Sequence, residues 1–225
     1  MIASLFLFIH VAAGTIALVV GYLAFAYKKG SRAHRSVGKA FVFSMVLMGG
    51  FGAALAYAKP EFISSINGLL AAYLVTTGWV AIKRKKPGVF FFDKLAFGFA
   101  SLLAFLDFYF GSVALKSETG TFHGFPAVLY FFFGAVAALA AVLDAKMILQ
   151  GGIAYHQKMI RHIWRMCFAM FLAAASFFLG QMQVFPVFLQ SLPVLSLPVL
   201  TVLILMVFWL YQSMFTSRFK KARSF

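Results

Sequence analysis

The chain has 225 residues, 63% of them apolar and only 11% charged, with 30 Phe against five Asp and Glu together. Soluble domains carry about 25% charged residues, so this composition cannot cover a water-facing surface and excludes a soluble enzyme or a disordered tail. The net charge of +15 invites a phosphate-binding reading. The Lys and Arg, however, sit in short clusters between long apolar runs, which excludes nucleic acid as a partner and predicts an all-α membrane bundle.

A membrane-crossing helix needs about 20 mostly apolar residues. Such stretches recur seven times within one transmembrane domain over 1–225, near 2–27, 40–58, 62–82, 91–115, 126–149, 162–185 and 195–215. Breaker-rich segments separate them: Lys59-Pro60, Lys86-Pro87-Gly88, Gly124-Phe125-Pro126, Gly151-Gly152 and Pro186. The first connection carries Lys28, Lys29, Arg32, Arg35 and Lys39, and the third Lys83 to Lys86 with Lys94 beyond. The fifth carries Lys146, Lys158, Arg161 and Arg165, and the tail Arg218, Lys220, Lys221 and Arg223. With seven spans, 18 of the 20 cations fall on one side, leaving Lys59 and Lys116 on the other. Cytoplasmic loops carry the excess of Lys and Arg. The expectation is therefore seven spans in a bacterial cytoplasmic membrane, N-terminus outside and C-terminus inside, with anionic headgroups at the basic face. No basic segment precedes the first apolar run, so it does not read as a cleavable signal peptide. The single Cys167 permits neither an internal disulfide nor a thiolate cluster.

Ionisable side chains at membrane depth are functional candidates by default. His10 lies eight residues into the first span and Asp107 eight residues from the outer end of the fourth, each roughly 12 Å deep at 1.5 Å per residue. With Asn67 and Gln181 they suggest an outer polar site, in which Asp107 orients His10, or else a structural interhelical pair. The inner side is denser, holding His34, Arg35, His156, Arg161 and His162, with Asp144 as partner for one of these cations. His34, His156 and His162 form the one histidine trio that could bind a metal, although His156 and His162 are six apart and face different ways on one helix.

Gly30-Ser31-Arg32-Ala33-His34 and Gly152-Ile153-Ala154-Tyr155-His156 share the pattern Gly-x-x-x-His. The echo predicts a parallel repeat of spans one-two and five-six. His34 and His156 would then approach from opposite sides and ligate a haem b iron axially, with Arg35 and Arg161 meeting the propionates.

The first-span histidine, the element His34-Arg35-x-x-Gly38 and the element His156-x-x-Met159-x-Arg161 resemble a widespread bacterial family of multi-pass membrane proteins. The resemblance covers most of residues 5–185 and is most specific at His-Arg-x-x-Gly; the last span lies outside it. It implies a helical bundle with recurrent histidines at membrane level. These are similar in architecture to b-type cytochromes such as the b561 group, from which the chain departs in lacking two intraspan histidine pairs on neighbouring helices.

The leading expectation is b-type haem or quinone-linked electron transfer. A proton-coupled transporter, an accessory subunit partnered by other membrane proteins, and a zinc-dependent membrane hydrolase are the alternatives. A retinal pump is excluded, since the last span contains no Lys.

Overall fold

The structure is a computed structural model that describes residues 2–58, 62–86 and 88–215. Lys59 and the four cations of the tail lie outside them. The chain folds into seven long helices: α1 (Ile2–Ala26), α2 (Arg32–Ala58), α3 (Phe62–Lys83), α4 (Phe91–Lys116), α5 (Ala127–Leu149), α6 (Tyr155–Phe178) and α7 (Leu192–Phe215). Six of these are long and apolar enough to cross a membrane. The exception by composition is α6, whose first three turns carry Lys158, Arg161 and Arg165. A two-residue hairpin, β1 (Thr121–Phe122) and β2 (Phe125–Pro126), joins α4 to α5, turning through His123 and Gly124 at positive φ. This is an integral membrane protein built almost wholly of helix.

Several helix ends differ from the apolar runs for local reasons. The start of α2 lies eight residues before residue 40, because the Ser31 hydroxyl accepts the backbone N–H of His34 and so satisfies an end donor. Likewise α6 spans 155–178 rather than 162–185. Gln157 reaches back to the Ala154 N–H at 3.3 Å, and beyond Phe178 the chain breaks into two short 3-10 turns around Pro186. Pro198 lies inside α7, where its carbonyl accepts the Tyr22 hydroxyl at 3.1 Å.

The interior is made of small residues. Ala100, Ala137, Ala140, Ala169 and Ala174 are fully buried, whereas Phe8, Phe43, Phe91 and Phe105 point outward. That inversion suits a bundle in lipid, where close backbone approach rather than hydrophobic expulsion holds helices together. At the α2–α3 crossing Gly49 and Gly68 meet so closely that a Cβ on either would collide with the other's carbonyl oxygen.

Helices α3 and α6 pack on each other at the centre. On one flank α1 lies along α2 and α2 along α3, and α7 lies along α6; on the other, α5 lies along α4. This packing does not repeat. While α1 pairs with α2, α5 pairs with α4, so the predicted repeat of spans one-two and five-six is not built. The shared Gly-x-x-x-His has a simpler cause: Gly30 and Gly152 sit in helix-to-helix turns at φ 76° and 139°, which glycine alone adopts readily.

The basic connections converge at one end. Lys158 Nζ donates to the Arg84 carbonyl at 3.0 Å, joining the fifth connection to the third. The Lys29 ammonium lies 4.8 Å from the Trp209 ring centre, joining the first connection to α7. Lys29 Nζ also donates to Ala24 and Phe25 O at 2.8 and 2.9 Å, neutralising the end carbonyls of α1. Burial pulls its pKa below the usual lysine value.

Candidate functional site

A cavity of about 450 Å³ opens at this basic end between α1, α2, α3, α6 and α7, within the range of small-molecule sites. One face of α6 forms a wall. Met159, His162, Met166 and Met170 recur at three- and four-residue spacing and so line one stripe. From α2 come His34, Arg35, Gly38 and Lys39, and from the end of α3 Trp79 and Lys83. Together with Lys29 the lining holds four Lys or Arg, two His and, among the described residues, no Asp or Glu. It is an apolar chamber with a cationic mouth.

The two histidines are held alike. His34 Nδ1 lies 3.1 Å from the Ala24 carbonyl oxygen, and His162 Nδ1 lies 3.2 Å from that of Gly78. A carbonyl oxygen only accepts, so Nδ1 carries a proton in each ring and the backbone bond leaves Nε2 unengaged. Backbone support of Nδ1–H is how ligating histidines are fixed in tautomer and orientation. Gly38 lies one turn beyond His34, and a Cβ built there meets nothing within 4 Å, so the space beneath the imidazole is open.

The other face of α6 is ionic. Asp144 of α5 is fully buried and meets Arg161 at 2.6 Å and Arg165 at 2.5 Å. Tyr73 donates to its second oxygen at 2.6 Å, and Arg165 donates to Thr77 Oγ1 at 2.5 Å and to Ala140 O at 3.3 Å. Two guanidiniums against one carboxylate leave one positive charge in excess. Such a network ties α3, α5 and α6 together, and removing one member exposes the others to an unpaired buried charge. A lesser pair, Arg84 to Asp93 at 2.5 Å, pins the third connection. There Asp93 also accepts the Phe90 N–H at 2.8 Å.

The structure rearranges the expected sites. His156 does not line the cavity; its Nε2 donates to Ser213 O at 3.1 Å, because six residues along α6 turn it well away from His162. Arg161 is held by Asp144 and faces α5, leaving Arg35, Lys29, Lys39 and Lys83 as the cavity's cations. The trio His34, His156 and His162 does not converge; among the described residues no three His, Cys, Asp or Glu gather as a metal group. Sequence reasoning paired Asp144 with one cation and passed over Arg165, Tyr73 and Thr77. The i, i+4 spacing of Arg161 and Arg165 was the signal available.

Of the expected outer site, His10 and Gln181 lie away from Asp107. His10 Nδ1 donates to Met48 O at 2.8 Å across the α1–α2 interface, where a Cβ on Gly52 would lie 2.7 Å from the ring. Asp107 faces α5 at Gly134, and neither of its oxygens has a hydrogen-bond partner among the described residues. Gln181 follows the end of α6, accepting from Gln183 at 2.8 Å on the exterior. Equal depth did not mean equal face. His10→Ala and Asp107→Asn should therefore change thermal stability in detergent independently, the double variant matching the sum within about 0.5 kcal/mol; a larger coupling would return them to one site.

Comparison with family models, with curated proteins and with solved structures finds no match to this chain, so its function is argued from its own residues.

Proposed function

We propose that this chain is a seven-span membrane redox protein, with its N-terminus outside and its basic end on the cytoplasmic side of a bacterial inner membrane. The cavity would hold one b-type haem, with His34 and His162 supplying imidazoles to its iron and Lys29, Arg35, Lys39 and Lys83 available to the propionates and to anionic lipid headgroups. The observation that carries this reading is the shared arrangement of His34 and His162: one cavity, with Nδ1–H held by a backbone carbonyl in both. A bound haem supplies one-electron chemistry at a potential tuned by its axial ligands and surroundings. The protein's own residues orient two imidazoles, offer soft thioether walls at Met159, Met166 and Met170, and compensate acidic substituents. The likeness at His34-Arg35-x-x-Gly38 to a bacterial membrane family belongs to this proposal, with Gly38 as the residue that keeps the chamber open.

Haem content tests it. Protein purified from membranes supplied with haem precursor should carry one haem per chain, and Gly38→Phe, which fills the chamber without replacing either histidine, should lower that content at least tenfold. Equal haem in both proteins would place the cofactor elsewhere. A second reading rests on the cation excess alone: an apolar chamber rimmed by Lys and Arg also suits an anionic lipid, and lipid co-purifying with a haem-free protein would favour it.

A further inference from the structure

Among the described residues, Asp107 is the one buried carboxyl in no ion pair, and the redox reading leaves it unused. Asp107 is 0% exposed, and both its oxygens lack a hydrogen-bond partner among the described residues. Asn67 Oδ1 on α3 is a second buried oxygen in the same condition. Helix register brings the two to one level. Phe62 of α3 stacks on Phe110 of α4 at 5.2 Å between ring centres. From that pin Asn67 lies five residues along α3, and Asp107 lies three residues back along α4 in the same direction. At 1.5 Å per residue their depths differ by about 3 Å.

The faces agree as well. Ile63, one turn before Asn67, packs with Ala114 of α4 and with Ala127 and Tyr130 of α5. Asp107 and Ala114 lie on one stripe of α4, and Gly134 follows Tyr130 by one turn on α5. A Cβ on Gly134 would lie 3.1 Å from that of Asp107. Asp107 and Gly134 thus meet between α4 and α5, and helix register puts Asn67 of α3 at their level, one turn from Ile63. Among the described residues no ion pair reaches Asp107, and the hairpin's His123 packs on the Phe62 and Phe122 rings. Tyr130 is the titratable neighbour on α5, and its hydroxyl already donates to Phe122 O at 3.1 Å. Along the three helices the nearest charged side chains are Lys116, nine residues on in α4, and Asp144, ten residues beyond Gly134.

Burying an isolated carboxylate in a low-dielectric medium costs far more than burying a neutral polar group. Protonation therefore wins, and it supplies what the pocket lacks. One oxygen becomes a donor, and Asn67 Oδ1 is the orphaned buried acceptor at its level. We propose that Asp107 and Asn67 form a proton-binding site between α3, α4 and α5, in which Asp107 takes up and releases a proton in exchange with water. The proposal does not depend on the haem.

Infrared spectroscopy of the intact protein in lipid tests it. At neutral pH the wild type should show the carbonyl stretch of a protonated carboxyl, and transfer to D2O should shift it within the time of the measurement. The isosteric Asp107→Asn should lose the band, and Asn67→Leu should keep it at a higher frequency, having lost the acceptor. No such band in the wild type would overturn the proposal. So would a band that survives Asp107→Asn, or one that never shifts in D2O, which would make Asp107 a sealed structural acid.

Discussion

Asp144→Ala is expected to cost about 3–5 kcal/mol, the range for breaking a buried ion pair by removing one partner. The size follows from what remains. Arg165 is fully buried and Arg161 nearly so, and without the carboxylate their two guanidiniums would face each other across the place it held. Tyr73→Phe deletes only one hydrogen bond to the same carboxylate and should cost about 1.5–3 kcal/mol. Thermal unfolding in detergent would rank the two. Loss from Asp144→Ala within the roughly 0.5 kcal/mol of a surface change would mean that the network does not hold α3, α5 and α6 together.

Much of this bundle was legible in the sequence because lipid imposes simple rules. Seven apolar runs became seven helices, and the clusters around Lys29, Arg84 and Lys158 came together at one end. Helix ends were less legible. Polar first turns, such as Arg32 to Lys39 before the apolar part of α2, are helical because Ser31 caps them, and hydropathy cannot see a cap. The sites were least legible, since depth along a span is readable while its facing is not. His10 and Asp107 share a depth but point into different interfaces, and Gly-x-x-x-His reported turn glycines rather than a repeat. His162 entered the cavity and His156 did not, a distinction that depends on which side of α6 meets α1 and α2.

That distinction underlies the second large effect. His34→Ala and His162→Ala should each abolish a six-coordinate low-spin haem spectrum, leaving a five-coordinate haem or none. His156→Ala should leave the spectrum intact, since its ring serves the end of α7 through Ser213 O. Neither ligand variant should unfold the protein, because each removes a single hydrogen bond to a backbone carbonyl, worth about 0.5–1.5 kcal/mol. Retention of α-helical circular dichroism alongside spectral loss would separate ligation from folding. A spectrum lost in His156→Ala and kept in His162→Ala would reverse the assignment of the second ligand.

The central claim, that His34 and His162 ligate one haem, is met most directly by the reduced-minus-oxidised absorption spectrum of the detergent-purified wild type. It should show a Soret band with sharp α and β bands on reduction, as two imidazole ligands give. A colourless protein whose spectrum does not develop when haemin is added would contradict it.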